Sequence, residues 1–233
     1  MNEDHMLTAT TNRRMLLGGL AAGGALLALP GCTSMGRFTF VDAIQRLLYL
    51  SSERAFARML QRDGFWDQQV AALGLGNVLG ARGDVLSRIL TSGLFKSRLD
   101  RAFGDIAFEG AERAAPLVAD AVRIIGFENA VDLVRGGPTA ASSYLRGEIG
   151  TRLIEAMVPE LGAAMRVASD PLVSEALTAL TGVDTARVAT RFATSIDDVI
   201  WREIAAEEAA IRADPGSTRD PAIIAIFGAG IPS

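Results

Sequence analysis

Histidine is almost missing from this chain of 233 residues: His5 is the only one. Ser-His-acid triads, Cys-His dyads and histidine-bearing zinc sites all need an imidazole at their centre, and so do di-iron bundles of the Glu-x-x-His form. Cysteine is as scarce. Cys32 stands alone, so it has no partner for an internal disulfide. Lys96 is the only lysine among 23 basic residues, and aromatics make up 6% of the chain. No run of basic residues appears, so the electrostatic footprint of nucleic-acid binding is missing. After Cys32 no apolar run approaches the roughly 20 residues that a bilayer-spanning helix needs. What remains is rich in alanine, leucine, arginine and glutamate, a composition that favours helix.

The amino-terminal residues read as an address. Arg13-Arg14 precede an apolar stretch from Met15 to Leu29, and Leu29-Pro30-Gly31-Cys32 follows. A positive region, an apolar region and a small-residue cleavage site make an export signal. The cysteine closing it reads as a lipoprotein box, whose thiol is acylated and becomes the mature amino terminus. Gly18, Gly19, Gly23 and Gly24 weaken the hydrophobicity of the stretch. Weak hydrophobicity behind paired arginines is the twin-arginine pattern, and the general secretory route is the alternative. Thr33, rather than an aspartate, follows the cysteine. That points to the inner leaflet of the outer membrane, facing the periplasm. The expected organisation is a signal peptide at 1–31, a lipidated terminus and short linker at 32–37, a helical domain at 38–228 and a tail at 229–233. Without the signal about 200 residues remain, enough for one domain with a sizeable core. The formal charge of −4 is unchanged, because two acids and two arginines leave together.

Along the mature chain, apolar positions recur at helical spacing. Phe40 to Leu60 is predicted as a helix with Ile44, Leu47, Leu48, Ser51, Ala55 and Leu60 on one face. Residues 64–84 are glycine-rich and read as irregular, with helix resuming at Val85 and interrupted at Gly93. Arg98 to Ala115 is the clearest amphipathic helix, with Leu99, Phe103, Ile106, Ala107, Gly110 and Ala114 inward. Pro116 is expected to kink it or to start a new one. Glu128 to Arg135 reads as a short helix capped by Gly136-Gly137, and Pro138 opens one running to about Met157. Pro159 and Asp170-Pro171 each read as a further start. The last long helix, Thr185 to Arg212, is capped by Asp184 and buries Val188, Phe192, Ile196, Val199, Ile200, Ile204 and Ile211. Its pairs Asp198–Arg202 and Glu208–Arg212 are four apart in the favourable order. Pro221 to Phe227 reads as a short apolar helix. No strand pattern appears, and the fold class is all-α: a single multi-helix domain behind a lipoprotein-type signal.

Several stretches resemble one bacterial family, the domain of unknown function 4197. They are Arg62-Asp63-Gly64-Phe65, Ala111-Glu112-Arg113-Ala114-Ala115-Pro116, Gly126-Phe127-Glu128-Asn129-Ala130, and Gly136-Gly137 leading to Tyr144 and Arg146. Ala206-Glu207-Glu208, Ile211-Arg212-Ala213-Asp214-Pro215 and Ile226-Phe227-Gly228 follow in order. The resemblance spans about residues 40–228 and implies an exported, helical, single-domain protein without an assigned activity.

Chemistry was sought among what is left. Glu109 and Glu112 share a helix face at a spacing near that of a retaining glycosidase pair, but Arg113 adjoins them and no aromatic sugar platform does; a solvated face is expected. Glu207-Glu208 likewise reads as a solvated face, paired to Arg212. Tyr144 and Arg146 form the best polar constellation, able to orient a carboxylate or phosphate as a ligand or partner contact. The expected function is a membrane-anchored binding or envelope-interaction module, not an enzyme and without cofactor or metal. Its partners would be the membrane through Cys32 and an envelope protein or apolar ligand, with no nucleic acid. The alternative is a carrier of small apolar or lipid ligands in an interhelical cavity. A pocket at Phe103, Ile106 and Phe192 would favour the carrier; an exposed apolar patch would favour the interaction module.

Overall fold

The structure, a computed structural model, describes residues 39–76, 93–124, 128–167 and 185–228. All belong to one compact unit, Arg37–Ser233. The described residues form eight α-helices and one 3-10 turn, with no strand among them: α1 (Phe40–Met59), α2 (Phe65–Leu73), α3 (Gly93–Ile124), α4 (Ala130–Arg135), α5 (Ala140–Ile149), α6 (Arg152–Val167), α7 (Thr185–Ala213), the turn Pro215–Thr218, and α8 (Pro221–Phe227). The protein is an all-α domain. The expected starts at Val85 and Asp170-Pro171, the cap at Asp184 and the whole amino-terminal signal lie outside the described residues.

Helix α1 begins where its sequence can satisfy its first N–H groups. The Asp42 N–H donates to the Thr39 hydroxyl at 3.0 Å, and the Thr39 N–H donates back to the Asp42 carboxylate at 2.9 Å. These hydrogen bonds from the Thr39 backbone and side chain hold the Asp42 carboxyl below its ordinary range. Of the anticipated stripe, Ile44, Leu47, Leu48, Ser51 and Ala55 are inaccessible to solvent, while Leu60, at the helix end, is only partly buried.

Residues 65–73, expected to be irregular, are helical. Gly64 supplies a left-handed turn at φ 86°, and the Asp63 carboxylate accepts from the Phe65 N–H at 3.1 Å. The helix lasts because Trp66 and Val70, one turn apart, are buried against the core. Its first turn presses on α3 at Gly104. A β-carbon there would sit 2.2 Å from the Asp67 carboxylate and 3.1 Å from the Asp67 backbone nitrogen. Only glycine permits this approach.

Helix α3 is described from Gly93, with the residues before it outside the described ones, and runs through Pro116 to Ile124 without a new start. Pro116 faces solvent, while Ala114, Val118 and Ala121 bury both flanking turns. The expected helix to Met157 is instead two, broken at Gly150 with φ 58°. Pro159 lies inside α6, on its exposed side, rather than at a start. Gly136 caps α4 in extended geometry, φ −67° and ψ 176°, so it is not the left-handed cap of the usual helix end. A side chain is excluded there because its β-carbon would meet that of Ala140 at 2.5 Å.

Helix α7 is the central post, packed on α1, α3, α5 and α6. All seven residues of its anticipated stripe are buried. Phe192 of α7 meets Phe103 of α3 edge-to-face, with ring centroids 5.4 Å apart, an arrangement worth about 0.5–1.5 kcal/mol beyond area burial. No helix among the described residues is long and apolar enough to cross a membrane.

Candidate functional site

Cys32, Arg13 and Arg14 lie outside the described residues. Tyr144 and Arg146 both sit on α5, but residues two apart on a helix do not face one another, and the structure gives them separate surroundings. Tyr144 is half-buried against the core. Burial, then Glu148 and Glu128, push its hydroxyl above the ordinary tyrosine range. Arg146 reaches α7, where it donates to Asp197 at 2.8 Å and to Asp198. Burial works against the Arg146 charge, but these two carboxylates outweigh it and raise its pKa. Asp197 also accepts from the Trp201 indole N–H at 2.9 Å. Burial pushes the Asp197 carboxyl up, against the pull of Arg146 and Trp201. Asp198, expected to pair with Arg202, turns to Arg146 instead, while Arg202 donates to Gln69 at 2.7 Å.

One turn from the end of α7 lies a second polar knot. Glu208, expected on a solvated face, is fully buried. It accepts from the backbone N–H groups of Ala141 at 3.0 Å and Ser142 at 2.7 Å, the first turn of α5. Here a carboxylate meets the positive end of a helix. Arg212 completes the knot. It donates to Glu208 at 2.8 Å and to the carbonyls of Val134 and Leu133 at 3.1 and 2.9 Å, and its guanidinium lies 4.9 Å from the centre of the Phe227 ring. The carbonyls belong to the end of α4, so one ion pair ties four helices together. Glu207, next in sequence, points away and accepts from Arg58 of α1 at 2.6 Å. Glu207, Glu208 and Arg212 are each bonded to another helix of the fold.

Open surface is found elsewhere, between α1 and the second half of α3. Two adjoining hollows of about 320 and 390 Å³ share Tyr49 and Val122 and form one trough. The larger runs between Glu53, Phe56 and Leu60 of α1 and Ala115, Pro116 and Ala119 of α3. Small residues keep it deep, while Tyr49, half exposed, stands at the rim. In its wall the Ser52 hydroxyl is inaccessible to solvent and meets no donor or acceptor among the described residues. The smaller hollow ends among Gln45, Arg46, Arg123 and Asp220. Asp220 is engaged there: it caps α8 by accepting from Ala222 and Ile223, and it pairs with Arg46 at 2.6 Å. Burial acts to raise the Asp220 pKa, but Arg46 and the two backbone donors prevail and lower it.

A third hollow, of about 150 Å³, lies where α2 crosses α3 and is polar, with Asp67 and Asp105 in its lining. The Arg62 guanidinium covers the Phe108 ring there at 4.7 Å. Burial and the nearby Asp105 raise the Asp67 pKa.

Sequence reasoning passed over the trough. The available signals were an exposed-side tyrosine on α1 and the apolar Ala115-Pro116 and Ala119 on the outward face of α3. No curated protein matches this chain, and no solved structure does. The model of a family described as a protein of unknown function (DUF4197) matches residues 34–228. That match takes in every described helix, and the chain belongs to this family.

Proposed function

We propose that this protein is a non-catalytic binding module of the cell envelope, anchored to a membrane by an acylated Cys32 and working through the α1–α3 trough. The observation that carries the reading is the trough itself, apolar, open to solvent and large enough for a ligand site, which typically measures about 300–1,000 Å³. The rival carrier reading needs space between the helices at Phe103, Ile106 and Phe192. Those side chains are buried, and two of their rings are in contact, so protein atoms occupy that place. The absence of catalysis is supported by chemistry: beyond His5 the chain holds no imidazole, and an acylated Cys32 is no nucleophile.

Export behind Arg13-Arg14 and acylation at the sole cysteine would leave five linker residues, Thr33 to Arg37. At about 3.4 Å per residue they reach roughly 17 Å, which keeps the domain beside the inner face of the outer membrane. Multi-chain lipid anchors do not dissociate on a useful timescale.

Two measurements test the proposal together. Mass spectrometry of protein from host membranes is expected to find Cys32 acylated at a new amino terminus, with Cys32→Ser moving to the soluble fraction. An environment-sensitive apolar dye is expected to bind the chain and to be lost on Ala119→Trp, which fills the trough. Equal partitioning of the two chains would remove the anchor from the proposal, and dye binding indifferent to Ala119→Trp would remove the trough.

A further inference from the structure

The buried stripe of α1 runs on past the point where the domain covers it. Phe40 stands four residues before Ile44 and seven before Leu47, so it lies on the same face of the helix. Ile44 and Leu47 are inaccessible to solvent, but Phe40 is 43% exposed and its neighbour Val41 37%. We infer that this first turn of α1 is a membrane-contact surface, with Phe40 and Val41 seated at the boundary between head groups and acyl chains of the bilayer that holds the anchor. This rests on the reading of Cys32 as acylated.

The tether names the occupant. Exposed apolar side chains are ordinary one at a time. Among the described residues, though, Phe40 and Val41 are the only exposed large apolar pair adjacent in sequence, and α1 is the helix that the tether enters. Cys32 and Phe40 are eight residues apart, a span of at most about 27 Å at 3.4 Å per residue. An anchored chain cannot carry this turn far from the bilayer surface. That closeness acts as a high local concentration, so a contact too small to hold a free protein is populated once the chain is tethered. A protein partner is a poor fit. Two half-exposed side chains fall far short of the roughly 800 Å² that each side of a stable protein interface contributes.

Charge suits the same surface. Between Cys32 and Thr39 lies Arg37 and no acid. The first acid of α1, Asp42, accepts from the Thr39 N–H and hydroxyl at 2.9 and 2.8 Å, so its charge is taken up by the helix cap. A basic residue next to the head groups, with no unmatched carboxylate before Glu53, favours an anionic lipid surface.

Packing fixes which end of the domain this is. Phe56 and Leu60 of α1 share one hollow with Ala115 and Pro116 of α3, whereas Gln45 and Arg46 share the other with Val122 and Arg123. The two helices are therefore antiparallel, and α3 begins at the end remote from the first turn of α1. Leu94, 82% exposed, lies 28 residues from Val122, about 42 Å along α3. It is an exposed apolar residue that the bilayer should not reach.

The test uses the full acylated chain from host membranes, in vesicles of phosphatidylcholine with a minor share of phosphatidylglycerol, with and without bromine on the acyl chains. Bromine quenches tryptophan only at close range. Trp66 and Trp201 are buried and supply a constant background. Phe40→Trp and Val41→Trp, both at exposed positions, are each expected to add emission that falls about twofold in brominated vesicles, as suits side chains about 5–10 Å into the boundary. Leu94→Trp is expected to add emission that bromine leaves unchanged. Phe40→Trp combined with Val41→Asp is expected to stay with the vesicles, held by the anchor, and to lose most of the quenching. Equal quenching at Phe40→Trp and Leu94→Trp, or none at either first-turn position, would overturn the contact, while a lipid mass on Cys32 in the same sample keeps the anchor standing. A blue shift at Phe40→Trp without quenching would show protein covering the turn and would overturn the contact as well. Cys32 found without lipid would remove the anchor, and the contact with it.

Discussion

Where α4, α5 and α7 meet, both oxygens of the buried Glu208 are matched, to two backbone N–H groups and to Arg212. Along α1, the Ser52 hydroxyl is nearly as deep and has no partner among the described residues. The first region has spent all its polar chemistry on holding helices together. The second is lined mostly by apolar side chains, with Glu53 among them and Arg46, Arg123 and Asp220 at one end. In a chain with one histidine and one cysteine, the densest charges hold the helices together, and the open surface lies elsewhere. The same contrast explains why the most conspicuous charged residues of the carboxyl-terminal half serve architecture.

The sharpest way to break this comparison is to remove Glu208. Glu208→Leu leaves Arg212 buried without its counter-charge and strips two N–H groups at the start of α5. Removing one partner of a buried pair costs about 3–5 kcal/mol. Urea denaturation is expected to show a loss in that range. Glu208→Leu combined with Arg212→Met is expected to cost less than Glu208→Leu alone, because the stranded charge leaves too. A Glu208→Leu chain within about 1 kcal/mol of the parent would show that the knot is not what joins these helices.

The stripes of α1, α3 and α7 were legible because their burial is periodic and continuous over several turns; Ile44 to Ala55, Leu99 to Ala114 and Val188 to Ile211 bury the faces the spacing marked out. Helix α2 was not legible. Only Trp66 and Val70 bury fully within it, and glycines flank it, so two residues carry too little pattern. Pro116 and Pro159 misled for one reason: proline breaks a helix in isolation, but an outward-facing proline between well-packed turns is tolerated. Glu208 read as surface because its partners at Ala141 and Ser142 lie 67 and 66 residues away. Arg146 was singled out, yet its pairing with Asp197, 51 residues distant, has no local signature. The trough was hidden likewise, since its walls come from helices far apart in sequence and its residues are ordinary one by one.

A smaller effect comes from Asp220, which belongs to both regions: it caps a helix and borders the trough. Asp220→Ala is expected to cost about 1–2 kcal/mol at pH 7, the usual worth of such a cap. The pH dependence has a definite sign. The folded-state pKa is lowered, so the ionised form is favoured by folding. Its contribution is complete above the unfolded value of about 3.9 and is lost as pH falls through the depressed folded value. Asp220→Asn keeps a good cap residue and removes the charge. It is expected to flatten the part of the acid limb that Asp220 supplies, while Asp197, whose folded pKa is raised, acts in the opposite sense. Denaturation curves from pH 3 to 7 that superimpose for the parent and Asp220→Asn chains would show that the Arg46 contact contributes nothing.

The smallest expected change bears most directly on the comparison. Ser52→Ala removes a buried hydroxyl that meets no protein partner and leaves a methyl group suited to the apolar wall. Deleting a satisfied buried hydrogen bond ordinarily costs about 1 kcal/mol, whereas removing an unsatisfied group recovers part of its desolvation penalty. Ser52→Ala is therefore expected to leave stability unchanged or to raise it by up to about 1 kcal/mol. Ser51→Ala, one residue away, loses a made bond to Leu47 and should fall. The two serines are equally buried neighbours on one helix, so propensity and burial nearly cancel between them and the hydroxyl's partner remains as the difference. If Ser52→Ala destabilises the chain as much as Ser51→Ala does, the Ser52 hydroxyl has a structural partner. If it stabilises the chain while Ser51→Ala destabilises it, the difference between the two serines is the hydrogen bond that Ser51 makes to Leu47.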